Sequence, residues 1–216
     1  MKKPRNSDAL IAELAGTLEP VKPLRFGDGL ALSLAASALS AGVLVGLLGI
    51  RAEWLAGHLD PLQLVSTGLF LGLAVAGTVS VIAMGRPQIG SNHGGWRWAT
   101  AMAGLLPTVA VIVAIGREAP SFSPELVRHG SECLAGGVAA SLAVFATLVW
   151  WLRRGAPTSL ERAGMVAGIA AGASGVFAVS LHCPDNDIVH IGLWHSAVLL
   201  VTAFAGRFVV PPLIRW

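Results

Sequence analysis

The sequence predicts an all-α membrane protein, a six-helix transmembrane bundle with a short cytoplasmic amphipathic helix at its N-terminus. Hydrophobic residues make up 54% of the 216 residues and charged residues only 12%, about half the charge of a soluble domain. The hydrophobic residues also cluster in long blocks, and the mean hydropathy is +0.70. Because such a chain has too few polar groups to cover a surface in water, we expect the lipid bilayer to be its solvent.

Six blocks are long enough to cross a hydrocarbon layer of about 30 Å, which takes about 20 mainly apolar residues in a helix. None of them contains Asp, Glu, Lys or Arg before Arg207. Residues 1–29 contain no apolar stretch of the signal-peptide kind, so the first block is expected to be an uncleaved anchor. We therefore expect a cytoplasmic segment at 1–29, a transmembrane domain at 30–210 and a cytoplasmic tail at 211–216. The expected spans are 30–50, 62–84, 98–115, 133–152, 163–181 and 191–206, the last extended by 208–210.

The basic residues predict the orientation of the spans. Six spans place both termini on one side, and 12 of the 15 Lys and Arg residues fall on that side. The other side carries only Arg51, Arg117 and Arg128. Because basic loops stay in the cytoplasm, both termini are expected there. In a bacterium the opposite face of this inner membrane is the periplasm, where disulfides form.

Glycine spacing predicts close contact between helices. Small residues four apart share one helix face and let two backbones approach each other. We therefore expect a compact bundle within one subunit. The repeat occurs in three spans, as Gly164, Gly168 and Gly172 with Gly175 close behind, as Gly42 and Gly46, and as Gly68 and Gly72.

The segment ahead of the first span predicts an amphipathic helix. Ser7 or Asp8 is suited to cap its start, and Pro20 and Pro23 are expected to end it, because proline removes a donor and clashes with the preceding turn. Such a short helix is marginal alone in water and must bury its apolar side. The membrane surface or the bundle is one acceptor, but acids on the polar side favour a groove in a protein partner. The apolar side comprises Leu10, Ile11, Leu14 and Leu18.

The chain has two cysteines, Cys133 and Cys183, and both are expected at the outer face. Cys133 is expected to open the fourth span, where the helix dipole favours a thiolate, while Glu132 opposes this by repulsion. A protonated His182 would lower the pKa of Cys183. Three interpretations stay open: a reactive or disulfide-forming pair, two inert buried thiols, and a metal site.

A metal site has several candidate ligands near the two thiols. Two thiolates with His129 and His182 form a Cys2His2 set suited to Zn²⁺ or Cd²⁺, although the spacing matches no standard zinc motif. His195, inside the sixth span, is expected to be a hydrogen-bonded packing residue because it has no visible partner. Further oxygen or nitrogen donors are Asp185, Asp187 and His190.

Three features together carry a family resemblance. They are the proline-bounded stretch at 8–25, a cysteine at the expected start of span four, and Leu-His-Cys-Pro-Asp at 181–185. With the six spans, they resemble the NrsF family, negative regulators of sigma F, which are bacterial inner-membrane anti-sigma factors. The resemblance implies that the N-terminal region holds an extracytoplasmic-function sigma factor inactive. It also implies that Cys133 and Cys183 sense heavy metals or oxidants and release that factor to RNA polymerase.

On this interpretation the protein is not an enzyme, has no resident cofactor beyond transient heavy-metal binding, and contacts neither nucleic acid nor a small-molecule substrate. The main alternative is a membrane thiol oxidoreductase that passes electrons to quinone, but such enzymes often use Cys-x-x-Cys, which is absent here. A transporter or channel usually has ionisable residues or broken helices at mid-membrane, and Pro107 is the main candidate break. A structural membrane protein is the third alternative.

Overall fold

The computed structural model describes residues 7–18, 23–58, 60–86, 94–116 and 124–215, and every regular element in these ranges is a helix. A π-helical turn, Ile191–His195, lies between the last two α-helices. The α-helices are α1 (Ser7–Gly16), α2 (Phe26–Leu48), α3 (Ala52–Leu55), α4 (Pro61–Met84), α5 (Gly95–Gly116), α6 (Pro124–Arg154), α7 (Leu160–Ser180), α8 (Ile188–His190) and α9 (Ser196–Ile214).

Six helical segments are long and apolar enough to cross a membrane, as the sequence predicts. They are α2, α4, α5, α6, α7 and the continuous unit Ile188–Ile214. Two ends differ clearly from the expected ones. Helix α6 begins at Pro124, nine residues before Cys133, and α9 runs through Pro211 and Pro212 to Ile214, beyond the expected boundary at 210. Pro107 lies inside α5, which continues on both sides of it.

Helix α7 lies at the centre of the bundle. In its most apolar stretch 89% of the residues are buried, against 17% of the residues in the corresponding stretch of α2. It packs most extensively against α9 and then against α6 and α4. Ten of its 21 residues are alanine or glycine, which let neighbouring backbones come close to its axis. The surrounding helices supply the larger buried side chains of the core, among them Phe70, Val81, Val144, Leu148, Leu152, Val198 and Leu199.

The glycine prediction is confirmed for α7. A Cβ at Gly164 would collide with the carbonyl oxygen of Gly206, and one at Gly168 with that of Thr202. Gly175 faces the carbonyl oxygen of Gly137 on α6 in the same way. On α2 and α4 the prediction is wrong, because an added Cβ meets nothing within 4 Å in the described part of the chain. The four glycines concerned there are Gly42, Gly46, Gly68 and Gly72.

This difference gives a matched pair of alanine variants. We expect Gly168→Ala to destabilise the bundle by about 1–3 kcal/mol, because the new methyl group forces the α7 and α9 backbones apart. Gly42→Ala is expected to leave stability unchanged or slightly raised, since alanine is the better helix former. Thermal or denaturant unfolding of the detergent-solubilised protein measures both. Equal stabilities for the two variants would contradict close packing at Gly168.

The N-terminal helix forms but ends early. Helix α1 stops at Gly16, ahead of Pro20, which lies outside the described residues. The Thr17 hydroxyl donates to the carbonyl oxygen of Leu14 over 2.9 Å. Leu18 therefore lies beyond the helix, and the helical stripe comprises Leu10, Ile11 and Leu14. No residue of α1 is buried, and the exposed fractions of Leu10, Ile11 and Leu14 are 40%, 63% and 58%.

Candidate functional site

The fold brings the two cysteines together. Cys133 lies on α6 and Cys183 in the connection between α7 and α8, and their sulfur atoms are 3.5 Å apart. Both thiols are free and buried. The expectation that Cys133 opens a helix is wrong, because α6 begins at Pro124. Cys133 is therefore in the third turn, and the helix dipole acts only over the first turn. The environment of the Cys133 thiol is therefore set by the side chains that surround it in the bundle.

Two histidines complete a cluster around the thiols. The Sγ atom of Cys183 lies 3.5 Å from Nε2 of His190 and 3.9 Å from Nε2 of His129. One ligand atom from each of His129, Cys133, Cys183 and His190 falls within 4.8 Å of the others. All but His129 are buried, and about a third of the His129 side chain is exposed.

The structure places His182, the other histidine of the expected Cys2His2 set, outside this cluster. Its Nδ1 atom lies 3.0 Å from the carbonyl oxygen of Gly49, at the end of α2. Because a carbonyl oxygen only accepts, Nδ1 carries the proton in this contact. His190 takes the position that the sequence interpretation gave to His182. The sequence feature that could have identified His190 as a member of the cluster is its position seven residues after Cys183, just ahead of the last apolar block.

Each clustered histidine has a carboxylate near the ring nitrogen that faces away from the sulfur atoms. Nδ1 of His190 lies 3.3 Å from Asp185, and Nδ1 of His129 lies 4.0 Å from Glu132. Arg128 pairs with the same glutamate at 3.1 Å. The backbone amide of Asp187 donates to the Asp185 carboxylate over 2.8 Å and so orients it. Both Nε2 atoms consequently point towards Cys183. Two of the expected thiol-tuning residues, Glu132 and Asp185, thus lie beside the histidines of the cluster.

A π-helical turn follows His190 directly. Residues five apart are about 140° apart around an α-helix, but the i→i+5 hydrogen bonds of a π-helix bring them nearly into line. The rings of His190 and His195 thereby pack edge to face, with their centroids 5.2 Å apart. His195 also packs against Phe70. Neither ring nitrogen of His195 makes a short hydrogen bond to any described part of the protein, but a side-chain contact from its imidazole lowers the pKa of the Cys183 thiol. The expected isolated packing residue is therefore a further neighbour of the thiol pair.

The thiol of Cys183 is placed to be the more acidic of the pair. A hydrogen bond from the Cys133 thiol lowers the pKa of Cys183 below its ordinary value. Burial acts in the opposite direction, and His190 adds a further lowering contact. A thiolate is the form of cysteine that binds metals and attacks oxidants. The arrangement therefore presents one activated sulfur with a second sulfur in contact.

A buried arginine holds the connection that carries Cys183. Arg51, just after α2, donates from Nη2 to the carbonyl oxygen of Pro184 over 3.0 Å and to the Asn186 side chain over 2.9 Å. Its backbone amide donates to the carbonyl oxygen of Leu181 over 3.1 Å. With the contact between His182 and Gly49, these bonds fasten the Cys183 connection to the end of α2. From the sequence, Arg51 was noted only as one of the three basic residues expected on the outer side.

The same connection is joined to α4, and the thiols pack on α2. Gln63 donates from Nε2 to the carbonyl oxygen of Ser180 over 2.8 Å. Around the sulfurs, Ala41 and Leu44 of α2 form a small apolar cluster with α6 and α7. A change of geometry at the thiols would therefore reach the far half of α2 through this cluster.

Comparison with known proteins places this chain in a family. The family model described as "Negative regulator of sigma F", NrsF, matches residues 14–216. The chain belongs to the NrsF family. The resemblance predicted from the sequence is thus confirmed, and the match includes the cysteine cluster and starts inside α1.

Two NrsF relatives align with this chain along nearly their whole length. The "Anti-sigma-F factor NrsF" of Caulobacter vibrioides (strain NA1000 / CB15N) is 29% identical, over 97% of each chain. The "Probable anti-sigma-F factor NrsF" of Azospira oryzae (strain ATCC BAA-33 / DSM 13638 / PS) is 27% identical, over 97% of this chain and 99% of its own. No solved structure matches the chain. Membership of the NrsF family supports a regulatory role in transcription with a sigma factor as partner.

Proposed function

We propose that this protein is an inner-membrane anti-sigma factor that sequesters an extracytoplasmic-function sigma factor. In the proposal, the sigma factor is released when Cys133 and Cys183 sense a heavy metal or an oxidant. The observation that carries the proposal is that the thiol pair and the exposed apolar helix lie towards opposite ends of α2. A buried thiol pair shares an apolar cluster with Ala41 and Leu44 in the far half of that helix, and an unburied apolar helix precedes its start.

The proposed orientation follows the basic residues. Twelve of 15 Lys and Arg residues fall on the side predicted for the two termini, which favours the cytoplasm as the location of that side. Helix α2 has 23 residues, so at about 1.5 Å per residue it is roughly 35 Å long. This length spans the hydrocarbon layer. Helix α1 then meets the cytoplasm, where sigma factors act, and the thiols lie at the periplasmic face.

The proposed sigma-binding surface is the stripe of α1 together with Leu18. The side chains of Leu10, Ile11 and Leu14 form a continuous apolar face that no described part of this chain covers. Burying a side chain of this size is worth about 1.5–3 kcal/mol. A hydrophobic groove in a partner would therefore both stabilise the short helix and gain affinity from it.

Helix α2 is the proposed connection between sensing and release. Its far end is bonded to the Cys183 connection through Gly49 and Arg51. Its near end at Phe26 is separated from the end of α1, at Gly16, by the nine residues 17–25. A shift or rotation of α2 would change how the stripe is presented. A tenfold loss of affinity requires only about 1.4 kcal/mol of coupling.

Thiol exchange catalysis fits the site less well. An oxidoreductase must let a substrate thiol or quinone reach a sulfur atom. Here Cys183 is 1% exposed and Cys133 is 7% exposed. A small ion or peroxide fits that restriction, whereas a substrate protein does not. Sensing by a small species is therefore the function that this burial favours.

Co-purification from membranes tests the proposal. We expect the tagged full-length protein, solubilised from untreated cells, to retain a sigma factor that mass spectrometry identifies. Exposure to cadmium or diamide is expected to lower the retained amount at least about tenfold. Retention that is unchanged by either treatment would contradict sensing, and the absence of any sigma factor in both samples would contradict sequestration.

A further inference from the structure

We propose that His129, Cys133, Cys183 and His190 form a four-donor site for a soft or borderline divalent cation, Zn²⁺ or Cd²⁺. The inference deepens the proposed sensing function, on which its biological meaning rests. It assigns roles to two histidines and distinguishes direct coordination from oxidation of the thiols. It also predicts that metal binding persists in the purified protein, without any partner.

The donor geometry is close to that of a tetrahedral site. Zinc binds sulfur at about 2.3 Å and nitrogen at about 2.0–2.1 Å, so tetrahedral donors lie roughly 3.3–3.8 Å apart. The sulfur atoms of Cys133 and Cys183 are 3.5 Å apart. His190 and His129 lie 3.5 and 3.9 Å from Cys183. The widest separation is within 4.8 Å, so closing the site takes a movement of about 1 Å.

The carboxylates behind the histidines support this assignment independently. Metal-binding histidines usually direct their other ring nitrogen to a carboxylate, which fixes the tautomer and raises the basicity of the ligand. Asp185 lies 3.3 Å from Nδ1 of His190, and Glu132 lies 4.0 Å from Nδ1 of His129. In both cases Nε2 is left to face the sulfur of Cys183. Both carboxylates lie near these ring nitrogens without hydrogen-bonding them, so the support they give is their position behind the two imidazole donors.

Charge balance suits a buried site at the membrane face. A divalent cation with two thiolates and two neutral imidazoles has no net charge. Binding forms four metal–ligand bonds, displaces water from the ion, and releases to solvent one proton from each thiol or imidazole donor that is still protonated. The thiolates remain reduced, so no oxidant takes part. The exposed part of His129 gives the ion a route to the otherwise buried donors.

Coordination would also join separate parts of the fold. His129 and Cys133 lie on α6, Cys183 lies on the connection fastened to α2, and His190 is the last residue of α8. A bound ion would therefore draw α6 and the start of the last span towards the Cys183 connection. This is the movement that the proposed function requires at the far end of α2.

Cobalt binding to the purified full-length protein tests the site. The detergent-solubilised chain is reduced with a phosphine under argon and titrated with CoCl2, followed by ZnCl2 and CdCl2. We expect one Co²⁺ per chain, with the intense visible bands of a tetrahedral ion and a thiolate charge-transfer band. Excess Zn²⁺ or Cd²⁺ is expected to displace the Co²⁺ and abolish both signals.

Matched variants separate this site from adventitious binding. Cys133→Ser/Cys183→Ser is expected to remove the thiolate band, and His129→Ala and His190→Ala to weaken binding at least about a hundredfold. Asp185→Asn keeps all four donors and is expected to weaken it roughly 10- to 100-fold. His58→Ala removes an exposed histidine outside the cluster and is expected to change nothing. Circular dichroism establishes that each variant retains its helices.

Two outcomes would overturn the assignment. One is the absence of tetrahedral Co²⁺ in the reduced wild-type protein. The other is wild-type affinity and spectrum in folded His129→Ala and His190→Ala, which would leave a two-thiol site only. Release of the sigma factor is measured separately by co-purification. A four-donor site that binds metal without releasing a sigma factor would contradict the proposed function while supporting this inference.

Discussion

Replacing Ile11 and Leu14 together by glutamate is expected to switch on the sigma-dependent genes without metal or oxidant. Both side chains lie on the α1 stripe and are more than half exposed in the free protein. In the complex they would be buried, and their loss removes about 3 kcal/mol or more. This corresponds to at least roughly a hundredfold weaker binding. A transcriptional reporter for the regulon and co-purification of the sigma factor measure the effect.

The control variant carries the same charge on the opposite face of the helix. Ala12 is exposed and lies about 150° from the centre of the stripe at 100° per residue. Ala12→Glu is therefore expected to retain repression and binding. Constitutive expression with Ala12→Glu, or full repression with Ile11→Glu/Leu14→Glu, would contradict the stripe as the binding surface. Equal amounts of each variant in the membrane must be established by immunoblotting.

The spans were predictable from the sequence because each is set by local composition. A helix in lipid satisfies its own backbone hydrogen bonds, so a long apolar block has few alternative structures. All six blocks accordingly form helices long and apolar enough to cross a membrane. Their ends were less predictable, because polar turns extend a helix beyond the apolar block. The first turns of α6, which contain Glu125 and Arg128, are such an extension.

The glycine repeats show where local pattern is insufficient. The same four-residue spacing occurs at Gly168 and Gly172 of α7 and at Gly42 and Gly46 of α2. Only the α7 face meets another backbone. Spacing shows which glycines share a face, but the central or peripheral position of the helix decides whether a neighbour approaches that face. That position depends on the whole bundle and cannot be read from one span.

The candidate site was predictable in part. Both thiols and His129 were identified from residue type and expected membrane side. His190 and His182 could not be distinguished, because both lie within seven residues of Cys183. Their roles are set by tertiary contacts, namely the bond of His182 to Gly49 and the carboxylate behind His190. The π-helical turn that brings His190 and His195 together has no recognised local signature in this sequence.

Replacing both cysteines by serine is expected to hold the protein in its repressing state. Oxygen for sulfur is a small change of volume, so the cluster with Ala41 and Leu44 is expected to keep its packing. The serine hydroxyls neither bind Cd²⁺ as thiolates do nor form a disulfide. Induction of the reporter by cadmium or diamide is therefore expected to fall to the uninduced level, with basal repression unchanged. Ser131→Ala, at an exposed neighbour on the same helix, serves as the control and is expected to respond normally.

The histidine variants distinguish the response to metal coordination from the response to thiol oxidation. A disulfide between Cys133 and Cys183 needs only the two sulfurs, whereas the four-donor site also needs His129 and His190. In cells, His190→Ala is therefore expected to lose induction by cadmium and to retain induction by diamide. Loss of both responses in a folded His190→Ala protein would indicate that the imidazole is also required to activate Cys183. Induction that survives Cys133→Ser/Cys183→Ser intact would show that the signal enters the protein elsewhere.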